Sequence, residues 1–552
     1  MPAFERVLRR WTLFGLLAFC SPLSAVQNAP PNPLGQPLLD ASGDVREDAF
    51  IRIPLRPEDA RYGDIRGESL KRMLLEVDAI SLADRDAGNL FWGRNVGTAG
   101  HEATQDWVEG YFRESGLEEV HRQAFDLRPQ WNPRNWEVTF ASGGGAFTLE
   151  SARPPQGAAS TPAGGLEFEL VWVGMGSNAD YLGRDVRGRA VLIHDIPRPG
   201  TLRHSLRTEG AVARAFENGA GAVGIVYGIS DNFAVWQRTG DRPGFNVGYA
   251  DGMRLRDMLG RGESVTVRLR MEADMVGDLS AASVWGTLPG TSDEEILVIA
   301  HMDGYFQSAL DNASGLAVMM GLVQHFANVP RAQRRRTIRF LGSVGHHGGP
   351  GTSWLHDNRE TALANTVFAI NLEHVAVTRT KYWGPELRMM NAVSPMRWWL
   401  YSSPSALDVV LDAFNRFNVG VTADLDPGAS GEMGRMARDV ASMQVITSPE
   451  IKHTEQDTPE WIPAVGLEQI GRAYAKIIDG LNGLEARDIA PQQRSQRIGV
   501  AHGAEPDEKS PGPELWRSEP EAPSSTSDRR QRGNAIAARP SLSWMITYCL
   551  PS

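Results

Sequence analysis

The sequence predicts an α/β protein: a three-layer, mainly parallel sheet flanked by helices, with a β-rich unit inserted into it. Three observations carry this expectation. Four short apolar strand patterns, Ile296–Ala300, Thr337–Val344, Val367–Leu372 and Met443–Ile446, are separated by helical patterns, and strand alternating with helix gives a parallel sheet covered on its faces. A stretch rich in Gly, Ala and Pro over residues 143–165 marks a boundary. From Leu166 to about Met275 the pattern changes to short strands, with helices at Ala211–Asn218 and Met253–Leu259, before the alternation resumes at Val284.

Length and composition agree with a folded, multidomain chain. At 552 residues one ordinary core is too small, so two or more domains are expected. With 41% apolar and 22% charged residues the protein is of the soluble, folded class, and a net charge of −11 argues against nucleic acid as a partner. The two cysteines, Cys20 and Cys549, stand near opposite ends and provide neither a disulfide framework nor a cysteine metal site.

Taken in order, residues 1–25 read as a secretory signal. Arg6, Arg9 and Arg10 precede the apolar run Trp11–Phe19, and Leu-Ser-Ala ends at Ala25. The run is too short for a comfortable bilayer span, which disfavours an anchor, and no later stretch is long and apolar enough for one. Residues 26–64 are expected as a linker. Leu70–Ile80 has helical spacing, and Arg94–Phe125 reads as a helix stopped by Gly116 and followed by a strand. His101, within that helix, reads as a surface polar residue. Residues 65–142 and 280–485 are expected to form the main domain, with a separate β-rich lobe over 166–275. The Pro-, Ser- and charge-rich residues 486–552 are expected as a disordered tail. The aromatics Tyr382, Trp383, Trp398 and Trp399 read mainly as packing residues, with a substrate pocket as the alternative.

Ligands of parallel sheets gather at the carboxyl ends of the strands. The first strand end offers His301 and Asp303, with Asp311 at the start of the next helix. The second offers His346-His347, the third Glu373-His374, and the fourth is followed by His453 through Thr458. Taken alone, His301 capping a strand and Asp311 capping a helix is an equal reading. Four strand ends all carrying imidazole or carboxylate are hard to explain by packing. Such ligands suit zinc, and a carboxylate shared by two ions needs about five protein ligands in all.

At this point the motifs resemble a known family. The pattern His-x-Asp, then Asp311–Gly315 (DNASG), Arg336–Phe340 (RTIRF), Asn371-Leu372-Glu373 and His453–Thr458 (HTEQDT) is similar to the M28 zinc metallopeptidases. Residues 166–275 look like the protease-associated domain inserted in many of them. The resemblance implies a zinc exopeptidase-like fold and Zn2+, two ions or one per chain. In the two-ion arrangement His301 and Glu373 hold one ion, His347 and His453 the other, and Asp311 bridges them. Asp303 would act in catalysis by orienting His301. The chain departs from the family at His346-His347, where members carry two glutamates, the first as general base. His346 takes that position, and an imidazole can accept a proton near neutrality. The function implied is that of a secreted aminopeptidase-like enzyme, periplasmic or extracellular, acting on a peptide or aminoacyl substrate. The alternative is a catalytically impaired relative acting as a binding protein or as a hydrolase of non-peptide amides.

Overall fold

The computed structural model describes residues 39–40, 43–196 and 210–491. The expected signal over 1–25 and most of the expected tail lie outside them.

A seven-stranded mixed sheet forms the main domain, in the order 397–401, 442–446, 366–372, 292–301, 336–343, 280–288, 118–126. Its four central strands are mutually parallel, and the remaining three add antiparallel at the edges. The central strand explains why the sequence reads as a continuous apolar run. Ile296, Val298 and Ala300 face one core, while Leu297 and Ile299 face another, so neither side of the strand meets water. The first face is covered by long helices, among them Gly67–Asp86, Ser314–Ala327 and Ala464–Asn482. The second is covered by short elements only, including Ser353–Asp357 and Gly431–Met433. This asymmetry matters for function, because the short elements bring polar groups to the strand ends.

A second seven-stranded sheet runs in the order 145–147, 130–142, 265–276, 166–172, 190–195, 222–227, 244–247. The expected boundary therefore moves. Gln130–Ser142 belongs to this lobe, pairing antiparallel with Val265–Val276 over almost its whole length. Val138 and Phe140 alternate into the lobe's core. The Gly- and Pro-rich stretch that marks a boundary in the sequence lies inside the lobe, after its first strand.

Other limits shift for the same reason, that burial was under-read. The stretch 43–64, expected as linker, buries Phe50 and Tyr62, and the Tyr62 hydroxyl donates to Asp479 at 2.8 Å. At the other end Ile489 is fully buried and its carbonyl accepts from Ser402 Oγ at 2.6 Å, so order persists past residue 486. His101 is a core residue. Thr98 caps its helix, and the ring sits fully buried against Gln105 at 3.1 Å. Trp398 and Trp399 are buried in the edge strand 397–401, whereas Trp383 is exposed on the hairpin formed by 378–383 and 386–393. Among the described residues no helix is long and apolar enough to cross a membrane.

Candidate metal centre

The site is assembled from the carboxyl ends of the parallel strands. Ser292–His301 ends in His301, whose Nδ1 lies 2.7 Å from Asp303 Oδ1. A carboxylate only accepts, so Nδ1 carries the proton and Nε2 turns its lone pair inward. The other oxygen of Asp303 accepts from the backbone N–H of His347 at 2.8 Å, tying the first strand end to the second. That approach requires glycine at 345, where φ is +91° and a Cβ would lie 1.9 Å from Asp303 Oδ1. Buried Arg94 donates to the carbonyls of Met302, Gln307 and Ser308 and so fixes the loop between His301 and Asp311.

Asp311 is the centre of the arrangement. Its backbone N–H and that of Leu310 donate to Asp457, at 3.2 and 2.8 Å. One of its carboxylate oxygens, Oδ1, lies 3.2 Å from His301 Nε2 and 2.9 Å from His374 Nε2. The other, Oδ2, lies 2.8 Å from His453 Nε2 and 3.7 Å from Lys452 Nζ. Each oxygen thus belongs to a different group of donors. Glu373 joins the first. Its Oε2 accepts from Asn371, Gln444 and the backbone N–H of Glu432, which leaves Oε1 directed at His301 and His374. His347 joins the second, its donor atom lying within 4.8 Å of those of Asp311 and His453, with its ring stacked on Tyr305.

The structure therefore brings His301, Asp311, His347, Glu373 and His453 together. Of the two residues expected to act in catalysis, Asp303 touches His301, and His346 sits at the rim. The His346 Nδ1 is 3.0 Å from Glu432 Oε2, and its ring centre is 5.0 Å from that of His301.

Two participants were not singled out from sequence. His374 follows Glu373 directly, and strand alternation should send consecutive side chains to opposite sides. Its left-handed backbone, φ +51°, undoes the alternation and returns the ring to the cluster. The residue stands at the third strand end beside Glu373, so residue type points to it and only the backbone conformation does not. Glu432 carries no motif at all. It arrives from the short element covering the second face, beside Gly431, whose φ is +59° and where a Cβ would lie 2.0 Å from Glu373 Oε1.

The chemistry of the donors fits a metal. His301 Nε2, both Asp311 oxygens, Glu373 Oε1, His374 Nε2, His347 Nδ1 and His453 Nε2 are all buried and have no hydrogen-bond partner. Burial depresses the basicity of His347, His374 and His453, with nearby Lys452 helping to bring His453 down to about 4, so these rings are neutral and offer lone pairs. Burial acts on Asp311 in the opposite sense, yet its neighbours, His374 and Lys452 foremost, outweigh it and hold the carboxyl ionised. Burial opposes a charge on His301, yet the Asp303 and Asp311 carboxylates outweigh it and raise the basicity of that ring, so the converging donors call for positive charge among them, which a metal ion supplies.

Comparison with known proteins bears on the family and the fold. The sequence model of peptidase family M28 matches residues 283–478, so this stretch is an M28 peptidase domain, and the class it defines is the hydrolytic metallopeptidases. Among solved structures, a zinc aminopeptidase from Bacillus subtilis aligns over 77% of this chain and 98% of its own, with 19% identity and a TM-score of 0.54. A peptidase M28 precursor from Shewanella amazonensis aligns over 76% and 96%, with 17% identity and a TM-score of 0.54. An aminopeptidase from Aneurinibacillus sp. aligns over 79% and 97%, with 17% identity and a TM-score of 0.50. At these identities the likeness is one of fold. No curated protein sequence matches the chain.

Proposed function

We propose that the chain is an exported zinc exopeptidase that removes terminal residues from peptides. The observation that carries this reading is Asp311, with one carboxylate oxygen in each of two donor groups. His301, Asp311 and Glu373 would hold one zinc ion, and Asp311, His347 and His453 a second. When bound, zinc lowers the pKa of coordinated water and polarises a carbonyl.

The remaining work falls to the chain itself. Burial opposes a charge on His346, but the bond from Nδ1 to Glu432 outweighs it and raises the ring's basicity, so Nε2 is the acceptor in the neutral form of the ring. His346 takes a proton from the attacking water and returns it to the leaving amine. Glu432 positions that ring, as a carboxylate does in other carboxylate–imidazole pairs. Asp303 holds His301 in the tautomer a ligand needs. The lobe of residues 130–276 corresponds, in this reading, to the protease-associated insertion that the sequence suggests. Export rests on Arg6, Arg9, Arg10 and the apolar run that follows them.

A second reading is favoured by His346-His347 themselves, which replace two carboxylates with neutral or cationic rings. It is a metal-binding relative without turnover, or one acting on a non-peptide amide. Zinc content and hydrolysis of aminoacyl and dipeptide substrates, measured on the same sample, separate the readings. His346→Ala should lower hydrolysis by about 10²–10⁴-fold with zinc retained, and His346→Glu should raise the rate. Equal turnover of the wild type and His346→Ala, both fully loaded, removes His346 from the mechanism. No turnover of these substrates by any of the three, despite bound zinc, favours the second reading.

A further inference from the structure

The two donor groups that share Asp311 are not equivalent. On the Oδ1 side four atoms meet: His301 Nε2, Asp311 Oδ1, Glu373 Oε1 and His374 Nε2. The separations between imidazole nitrogens and carboxylate oxygens are 3.2, 3.9, 2.9 and 3.6 Å. Zinc bonds of about 2.0–2.2 Å to N and O place the corners of a tetrahedron about 3.3–3.6 Å apart, so these distances scatter around the size of a single four-coordinate ion.

Each donor is also aimed from behind. His301 Nδ1 meets the Asp303 carboxylate, and His374 Nδ1 meets the Thr447 carbonyl at 2.9 Å. Both partners are pure acceptors, so in the neutral rings the two Nε2 atoms carry lone pairs. Oε2 of Glu373 is satisfied by three donors. All four side chains are excluded from solvent, and all four inward atoms lack a hydrogen-bond partner. His374 reaches the cluster through a left-handed backbone that a non-glycine residue adopts only under constraint from its surroundings.

The Oδ2 side is poorer and more open. It offers His347, His453 and Oδ2 of the shared carboxylate, with no carboxylate of its own. Lys452 puts a positive charge 3.7 Å from that oxygen, and the His453 side chain is 39% exposed.

We infer that His374 completes a closed four-ligand metal site with His301, Asp311 and Glu373, which retains its ion as part of the fold, while the His347–His453 side exchanges its ion and keeps the open position for water and substrate. This rests on the metallopeptidase reading above and assigns the two ions different jobs, following the rule that structural zinc is fully enclosed by protein and catalytic zinc is not.

The test uses the full chain, loaded with zinc, dialysed against a chelator and measured by elemental analysis. Wild type should keep one ion per chain where it began with more, and His453→Ala should keep that same ion. His374→Gln should lose it, binding zinc weaker than wild type by more than the about 10–100-fold that loss of a supporting partner causes. Circular dichroism of the zinc-free variants shows whether they fold. A measurement on wild type alone covers the case where His374→Gln does not: the first equivalent of Co2+ should give the intense visible absorption of a four-coordinate ion. Retention of the tight ion by a folded His374→Gln, or a weak six-coordinate spectrum at the first equivalent, overturns the inference while leaving zinc binding intact. Wild type that takes up no metal at all overturns the metallopeptidase reading itself.

Discussion

Both seven-stranded sheets contain four consecutive parallel strands, yet the main sheet and the lobe sheet use their strand ends differently. In the lobe, polar groups at these ends are spent on packing. Asp195 accepts from Gln237, and the Tyr227 hydroxyl donates to the carbonyl of Glu450. His194 keeps an unpartnered Nε2, but it stands apart from any donor that would share an ion, since among the described residues every such group lies in the main domain. In the main domain five buried donor atoms without partners surround the two oxygens of one carboxylate, Asp311. A parallel strand end supplies a place for a site. The chemistry comes from donors whose rear atoms are satisfied and whose front atoms are not.

The largest test of this contrast is Asp311→Ala. Loss of the shared carboxylate should remove metal from both sides and take hydrolysis to background, well beyond the about 10²–10³-fold associated with one oxyanion donor. Elemental analysis beside an activity assay reads the result, and a variant still holding two ions would show that Asp311 is not the bridge. Gly224→Ala probes the lobe in the same way. A Cβ there would lie 2.3 Å from the Phe245 ring, so overpacking should lower stability by about 1–3 kcal/mol, seen in denaturant unfolding, with metal content unchanged. Loss of metal at full stability would mean the lobe does carry part of the centre. The smallest effect belongs to the seam between the two. Glu455 receives Arg153 at 2.6 and 2.8 Å and the Trp236 indole at 2.9 Å, all from the lobe. Glu455→Gln should cost about 1 kcal/mol in stability and loosen the loop that carries His453, read as weaker binding of the exchangeable ion.

Much of the centre was legible because five ligand candidates sit in short motifs at strand ends, where apolar runs of Val, Ile and Leu announce a buried parallel sheet. Position and residue type pick out the strand ends and their imidazoles and carboxylates; the choice of His301, Asp311, His347, Glu373 and His453 among them comes from the resemblance to the M28 zinc metallopeptidases. What escaped depended on conformation or on distance along the chain. His374 was hidden by the alternation rule, which its positive φ breaks. Glu432 lies 86 residues from its partner His346 in a glycine-bearing stretch without a pattern. The lobe boundary was misplaced because a Gly- and Pro-rich segment looks the same between domains as within one. His101 was misread because one polar residue in a helix gives no sign of which way it faces.

The seam has a consequence in time. The segment carrying His453 is fastened to the lobe by a bridge between Val235 and Thr454, by the bonds of Glu455 and Gln456 to Ala234, and by Tyr227. Four of the five ligands named from sequence lie between residues 301 and 373, while the fifth is held by a unit that begins near residue 130 and closes only at 276. Contacts so far apart in sequence form late. The enclosed donors are also tied over long distances, His374 to Thr447 and Glu373 to Gln444, so the whole centre is expected to form only once segments far apart in the chain have met.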